Sequence, residues 1–142
     1  MRVFLDANIL FSAAKSDGAV RALLGRLVER GHEAVADAYV VAEARRNLVA
    51  KGPQALDVLD ALLSHVTVAA VTSPAASAAN LGRGDELAWL PEKDRPVLAA
   101  AIRLGCDALV TGDRTHFGAG YGRVFGGVAI HSPRSLAEQI LA

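Results

Sequence analysis

The sequence predicts an α/β fold of three layers, in which helices cover both faces of a central parallel sheet of four to five strands. Short apolar segments, among them residues 3–5 and 108–110, have the composition of strands that are buried on both faces. Segments with apolar residues at helical spacing, such as residues 20–28, separate these strands. Strands that alternate with helices along a chain form parallel sheets covered on both faces.

Helix signals place the elements in the first half of the chain. A short helix over residues 8–14 is expected after the first strand. Gly31 then ends the second helix, because glycine commonly occupies the position that closes a helix. Asp37 is a typical N-cap for a helix over residues 38–51. Pro53 is well placed to begin the following helix, because proline is tolerated in a first turn.

The second half of the chain continues the same alternation. A weak, alanine-rich helix and a loop are expected over residues 72–85. Pro96 stands in the first turn of a helix that Gly105 closes, and Ser132 caps the final helix. The expected strands of the whole chain are residues 3–5, 33–36, 66–71, 108–110 and 128–130.

Composition limits the class of protein. The 142 residues show no repeat or linker, so we expect a single domain over residues 1–142. A hydrophobic fraction of 52% and a mean hydropathy of +0.29 exclude a disordered chain. Fifteen basic and fifteen acidic residues cancel, which argues against a protein that coats duplex DNA. With Cys106 as the only cysteine, no signal-peptide pattern and no membrane-spanning apolar run, we expect a cytoplasmic protein.

Two acids follow shortly after buried strands. Asp6 comes after residues 3–5, and Asp113 follows residues 108–110 by three positions. Parallel strands run in the same direction, so both acids are expected at the C-terminal edge of the sheet, where ligand sites of α/β proteins gather. The alternative for Asp6 is a capping role alone, because aspartate is a preferred N-cap.

Two further acids are expected at the same edge. Asp94 stands at or just before the first turn of the helix marked by Pro96, and that helix returns to the opposite edge. Glu43 lies three residues after Val40 and four before Asn47, at the border of the apolar face of its helix. A solvated surface position remains the alternative for Glu43.

Four carboxylates that converge repel one another and raise one another's pKa values. A hard divalent cation with oxygen ligands, Mg²⁺ or Mn²⁺, is the usual resolution. Asn8, two residues after Asp6, is close enough to orient that acid or to cap a helix. Carboxylate sites with two metal ions carry out displacement at phosphorus, so phosphodiester hydrolysis is the chemistry that this pattern favours.

The pattern resembles the PIN domain family, as found in VapC-type toxins of prokaryotic toxin–antitoxin modules. The resemblance covers essentially the whole chain. Four motifs carry it in order: Leu5-Asp6-Ala7-Asn8, Ala42-Glu43-Ala44, Lys93-Asp94-Arg95 and Val110-Thr111-Gly112-Asp113. Each motif alone is short, but their order and their positions on the expected elements make the set specific. One departure is the glycine-rich loop at residues 118–122, before the last strand.

The resemblance implies a metal-dependent ribonuclease that hydrolyses RNA phosphodiester bonds. Asp6, Asp94 and Asp113 would be the main ligands of Mg²⁺ or Mn²⁺, and Glu43 would help to hold the ions. Thr111 would orient the site or an incoming phosphate. The implied partners are an RNA substrate and an antitoxin protein that covers the acidic groove, and the apolar composition favours a homodimer.

Other functions remain open at this stage. A PIN-like module that binds RNA or protein without cleavage is the main alternative, although a pure binder has no need of a repulsive acidic cluster. A receiver domain or an aspartyl phosphatase would need a second acid near Asp6, where Asn8 stands. Basic residues flank the acids and are candidates for phosphate contacts: Arg45, Arg46, Lys51, Lys93, Arg95 and Arg114. His116 is expected to be a packing or surface residue.

Overall fold

The computed structural model describes residues 1–70 and 87–141. Its strands are β1 (Arg2–Leu5), β2 (Glu33–Asp37), β3 (Val66–Ala69), β4 (Ala108–Val110), β5 (Val124–Phe125) and β6 (Val128–His131). Its helices are α1 (Ala7–Lys15), α2 (Ala19–Glu29), α3 (Ala38–Lys51), α4 (Leu56–Leu63), α5 (Arg95–Arg103), α6 (Arg114–Phe117) and α7 (Pro133–Leu141). Short 3₁₀ turns occur at Pro53–Ala55, Glu92–Asp94 and Gly118–Gly120. The helix and loop expected over residues 72–85, and the expected end of the third strand at Val71, lie outside the described residues.

A single sheet contains the six strands of the described residues, in the order β3-β2-β1-β4-β6-β5. The five longer strands pair in parallel, and β1 lies between β2 and β4. Phe4 in β1 stands opposite Val35 of β2 and Leu109 of β4, and all three side chains are fully buried. The predicted α/β class with a central parallel sheet is confirmed.

The edge strand β5 is an addition that the sequence patterns do not predict. It has two residues and pairs antiparallel with β6. Gly126 and Gly127, with φ of 56° and 85°, form the turn between the two strands. A two-residue hairpin turn of type I′ needs positive φ at both positions, which glycine adopts without steric cost. The adjacent glycines are therefore the sequence signal for this hairpin, since β5 itself is too short to show alternation.

The helices form a layer on each face of the sheet. Helix α1 contacts α2, α3 and α4, so the helices that connect β1, β2 and β3 lie together. Helix α5 lies on the connection that returns from β3 to β4, and it packs on β4. Right-handed connections that run in opposite directions along a sheet lie on opposite faces, which puts α5 in the other layer.

Among residues 1–70 and 87–141, no helix combines the length and the apolar composition that crossing a bilayer requires.

The C-terminal ends of the central strands meet at one edge of the sheet. Leu5 of β1 is the register partner of Val110 of β4, and the Asp6 N–H donates to the Val110 carbonyl at 3.1 Å. Strand β2 ends at Asp37, whose carboxylate accepts a hydrogen bond from the Val40 N–H at 3.1 Å and caps α3, as predicted. Side chains that follow these strands therefore face a common space.

Candidate active site

A polar cavity of about 170 Å³ lies at the C-terminal edge of the sheet. The four predicted acids all line it, although they come from four separate elements. The complete lining is Asp6, Ala7, Asn8, Tyr39, Glu43, Asn47, Lys93, Asp94 and Asp113. A larger, apolar cavity of about 240 Å³ lies near the start of β3, between α2 and α4, and takes in none of these acids.

Asp6 is the most buried of the four acids, with 6% of its surface exposed. Its Oδ1 accepts a hydrogen bond from the Ala7 N–H at 2.8 Å and so caps α1. Its Oδ2 accepts from the Thr111 hydroxyl at 2.8 Å and from Asn8 Nδ2 at 3.2 Å. Burial raises the pKa of Asp6 to about 6, although the bonds from Thr111 and Ala7 lower it. Asp6 therefore combines the capping role with a place in the cavity.

Asn8 and Thr111 connect Asp6 to the end of β4. Asn8 Nδ2 donates to Thr111 Oγ1 at 3.2 Å, and Asn8 Oδ1 accepts from the Gly112 N–H at 2.8 Å. Thr111 is fully buried, and its hydroxyl also accepts from the Asp113 N–H at 3.1 Å. These bonds fix the positions of Asp6 and Asp113 relative to each other. The side chains of Asn8 and Thr111 therefore orient the two acids.

Asp94 ends the 3₁₀ turn that precedes α5, and its N–H donates to the Pro91 carbonyl at 2.9 Å. Its side chain makes no capping bond to α5, and its Oδ2 is buried without a hydrogen-bond partner in the described residues. Burial raises the pKa of the Asp94 carboxyl, His116 and Lys93 lower it, and Asp113 raises it further. The carboxylate is thus held at the cavity and caps no helix.

Asp113 and His116 are joined by the single turn of α6. Asp113 Oδ1 accepts a hydrogen bond from the His116 N–H at 3.1 Å and caps this turn. The His116 ring then points back, with Nδ1 at 2.9 Å from Asp113 Oδ2 and 3.0 Å from Asp94 Oδ2. His116 was expected at the surface or in packing, and instead it lies between two of the predicted acids. The spacing Asp113-x-x-His116 within one helical turn is the sequence signal that could have identified it.

Glu43 lies on α3 at the cavity wall and is partly buried, with Asn47 one turn further along the same wall. The Tyr39 hydroxyl, also on α3, donates to the Lys93 carbonyl at 3.2 Å. This bond ties the start of α3 to the segment that carries Asp94. Glu43 therefore lies at the cavity with the other acids. A residue that is only a solvated surface position would have no need to lie there.

The flanking basic residues divide into two groups. Arg45 pairs with Asp60 at 2.6 Å, and Arg95 Nε donates to the carbonyls of Leu87 and Leu90 at 3.1 and 3.0 Å. These two arginines hold the fold. Lys93 is exposed and lines the cavity, and Arg46, Lys51 and Arg114 are exposed as well.

The glycine-rich loop supports the end of β4. A Cβ atom at Gly120 would lie 2.4 Å from the Trp89 ring, so only glycine fits there, and Gly122 has a φ of 78°. Between these glycines, the Tyr121 hydroxyl donates to the Thr111 carbonyl at 2.8 Å. The Trp89 ring is partly buried and packs on Phe117 and Phe125. The loop therefore holds the strand end that carries Thr111 and Asp113.

The donor set fits a divalent cation. Ligand atoms of Asp94, Asp113 and His116 lie within 4.8 Å of one another. Asp94 Oδ2 and His116 Nδ1 are buried and have no hydrogen-bond partner in the described residues. Burying polar atoms without a well-directed hydrogen bond is costly, and a cation bound to both atoms would reduce that cost. Carboxylate oxygen and imidazole nitrogen are both ligands of divalent metals.

Comparisons with known proteins identify the family. The family model for the PIN domain matches residues 2–115. VapBC2 from Rickettsia felis, bound to a DNA fragment from its promoter, has a TM-score of 0.68 at 19% identity, over 93% of this chain and 98% of that chain. VapC20 from Mycobacterium tuberculosis, a sarcin-ricin loop cleaving toxin, has a TM-score of 0.58 at 20% identity, over 87% of this chain and 98% of that chain. VapBC-1 from nontypeable Haemophilus influenzae has a TM-score of 0.59 at 16% identity, over 94% of this chain and 99% of that chain.

A comparison with curated protein sequences gave no significant match. The solved structures share the fold with this chain, which confirms the expected likeness to VapC-type members. The matched region contains all four acids that line the cavity. Since the family model covers most of the sequence, this chain belongs to the PIN domain family.

Proposed function

We propose that the protein is a divalent-metal-dependent endoribonuclease that hydrolyses RNA phosphodiester bonds. The observation that carries this proposal is the convergence of four carboxylates from four elements on one cavity, where the buried Asp94 Oδ2 lies 3.0 Å from His116 Nδ1. Like charges placed together at a strand edge cost stability, and a function at that point explains why the chain keeps them.

Asp6, Glu43, Asp94 and Asp113 would hold Mg²⁺ or Mn²⁺. The bound ions would supply an activated water and charge stabilisation for in-line displacement at phosphorus. Thr111 and Asn8 hold Asp6 and Asp113 in place, and Tyr39 holds the segment of Asp94. The exposed Lys93 ammonium at the rim is positioned to bind a backbone phosphate of RNA.

Cleavage assays test this proposal. Wild-type protein should cleave a mixture of structured RNAs with Mg²⁺ or Mn²⁺ and lose that activity in EDTA. Asp94→Asn and Asp113→Asn should each lower the rate at least about a hundredfold, because even groups that only support a ligand contribute ten- to a hundredfold. Asp57→Asn, an exposed acid on α4, is the matched control and should retain full activity. Metal-independent cleavage, or full activity in Asp113→Asn, would contradict the proposal.

We further propose that the protein is the toxin of a toxin–antitoxin pair. The fold it shares with VapBC2 and with the VapC20 toxin supports this. An antitoxin segment that carries arginine or lysine would be attracted to the acidic cavity and would block it. Co-expression with the product of an adjacent small reading frame should yield a stable complex that does not cleave RNA. A neighbour that neither binds nor inhibits would contradict this part of the proposal.

A homodimer is the third part of the proposal, because the chain is apolar in composition and exposes large apolar side chains. Val49 and Val124 are 62% and 65% exposed. Sedimentation at micromolar concentration should give the mass of a dimer. A strict monomer under these conditions would remove the dimer and leave the ribonuclease proposal in place.

A further inference from the structure

We infer that His116 is a metal ligand. Because imidazole nitrogen binds transition-metal ions, the site should then bind Mn²⁺ in preference to Mg²⁺. The inference rests on the proposed metal-dependent function and narrows it. His116 lies one residue beyond the region that the PIN family model matches, and it is not one of the four acids to which the proposed function assigns the metal.

The first argument is the geometry of the three donor atoms. His116 Nδ1 lies 2.9 Å from Asp113 Oδ2 and 3.0 Å from Asp94 Oδ2. Two ligand atoms that each bind an ion at about 2.1 Å, at right angles, are about 3.0 Å apart. The separations therefore suit neighbouring ligands of one octahedral ion.

The second argument is that these two contacts have ion-pair distances without the geometry of directed hydrogen bonds. Distances near 3 Å would also suit an ion pair, yet His116 Nδ1 has no hydrogen-bond partner in the described residues, and neither has Asp94 Oδ2. The ring nitrogen and the carboxylate oxygen thus meet at short distance without a directed bond between them. Because no directed hydrogen bond uses these two atoms, a cation can bind to both of them without breaking one.

The third argument is that the fold fixes the imidazole in this position. Asp113 Oδ1 caps α6 through the His116 N–H at 3.1 Å, which leaves Oδ2 and the ring on the same side. Phe117, the next residue, is fully buried and anchors the turn in the core. The ring therefore needs no large movement to take part in binding.

The preference for transition metals follows from the nitrogen ligand. Mg²⁺ selects oxygen ligands and retains several of its waters, so an imidazole adds little to its binding. Transition-metal ions accept imidazole nitrogen, with affinities that increase from Mn²⁺ toward the later metals. A site that adds a histidine to its carboxylates should thus separate Mn²⁺ from Mg²⁺ more strongly than one built of carboxylates alone.

Pulsed electron paramagnetic resonance with Mn²⁺ as the probe tests the ligand directly. Mn²⁺ bound to the wild-type protein should show modulation from a directly coordinated ¹⁴N nucleus. The signal should disappear in His116→Gln and persist in His65→Gln, a matched change at an exposed histidine that follows α4. Bound Mn²⁺ without nitrogen coupling in the wild type would overturn the inference, and this measurement does not depend on a variant that folds.

Calorimetric titration with Mn²⁺ and with Mg²⁺ tests the preference. His116→Gln should raise the Mn²⁺ dissociation constant about tenfold or more and change that of Mg²⁺ much less, because only Mn²⁺ makes full use of the nitrogen. Equal changes for both ions would assign His116 a structural function and overturn the inference. A wild-type protein that binds neither ion would instead refute the proposed function.

Discussion

The two sides of the acidic cavity differ in how their polar atoms are used. On the β1 side, both oxygens of Asp6 accept hydrogen bonds, and the bonds extend through Thr111 and Asn8 to the end of β4. On the α5 side, Asp94 Oδ2 and His116 Nδ1 are buried without hydrogen-bond partners in the described residues. A hydrogen-bonded network rigidifies its members, whereas the Asp94 and His116 atoms have only ion-pair contacts without directed hydrogen bonds. The Asp6 side is held in place by the fold itself, whereas the Asp94 side depends more on a bound ion for its stability.

The largest effect expected on the Asp6 side is the change in the free energy of unfolding with pH that the Asp6 carboxyl causes. Its pKa is raised from 3.8 to about 6 by burial. Below both values the group is protonated in the folded and the unfolded state and has no effect on stability. As pH rises from about 4 to about 7, the unfolded state ionises first, and the folded state loses about 3 kcal/mol relative to it.

Urea unfolding in EDTA measures this loss. The free energy of unfolding of Asp6→Asn, relative to wild type, should increase by about 2–3 kcal/mol between pH 4 and pH 7.5, because asparagine does not ionise. Asp57→Asn, at an exposed position on α4, is the control for the substitution itself. A pH-independent difference for Asp6→Asn would mean that the Asp6 charge is not buried as described.

Removing the hydroxyl of Thr111, on the same side of the cavity, should have the second largest effect on stability. Thr111→Val keeps the shape of the side chain but leaves Asp6, Asn8 and the Asp113 N–H each short of a bond. We expect a loss of about 2 kcal/mol in the free energy of unfolding, because unsatisfied buried groups are costly. Thr67→Val on β3, where the hydroxyl bond to Glu33 is exposed, is the matched control and should be nearly neutral. Equal effects at the two sites would show that the Thr111 network has no special stability.

Tyr121→Phe should have the smallest effect. The change removes the bond from the Tyr121 hydroxyl to the Thr111 carbonyl, and we expect a loss of about 1 kcal/mol, the usual contribution of one hydrogen bond. Tyr39→Phe is the control, because the Tyr39 hydroxyl bond is longer and its side chain is exposed. That bond should contribute less to the free energy of unfolding. Both can be measured by chemical denaturation. If Tyr121→Phe does not lower the free energy of unfolding, the glycine-rich loop does not stabilise the end of β4 through this bond.

Most of the fold follows from local signals that the sequence carries strongly. The bounds of α3 match the prediction, because Asp37 caps its start and Gly52 with Pro53 ends it. The C-terminal positions of Asp6 and Asp113 also follow, since strand direction alone fixes the edge of a parallel sheet. What the periodic patterns do not predict is β5, because two residues show no alternation and only the adjacent glycines mark its hairpin with β6.

The site itself was only partly predictable. Spacing identified the four acids that line the cavity, but it could not rank their separations. His116 was missed because α6 is a single turn, held by the Asp113 cap and by the buried Phe117, and so has no helical periodicity. Likewise, the meeting of Asp94 with His116 depends on how α5 and α6 approach each other in space. Short elements held by tertiary contacts are the ones that sequence patterns describe least.

The most direct test of a metal site in this cavity is the thermal stability of wild type and Asp94→Asn, each in EDTA and with Mn²⁺. Without metal, Asp94→Asn should melt at the same or a higher temperature, because the cost of burying the Asp94 charge, with the repulsion from Asp113, outweighs its attraction to His116 and Lys93 and leaves its pKa raised. At a hundredfold excess of Mn²⁺ over its dissociation constant, the wild type should gain about 2.7 kcal/mol, and the variant much less. Equal metal-induced shifts in the two proteins would remove Asp94 from the site and contradict the account.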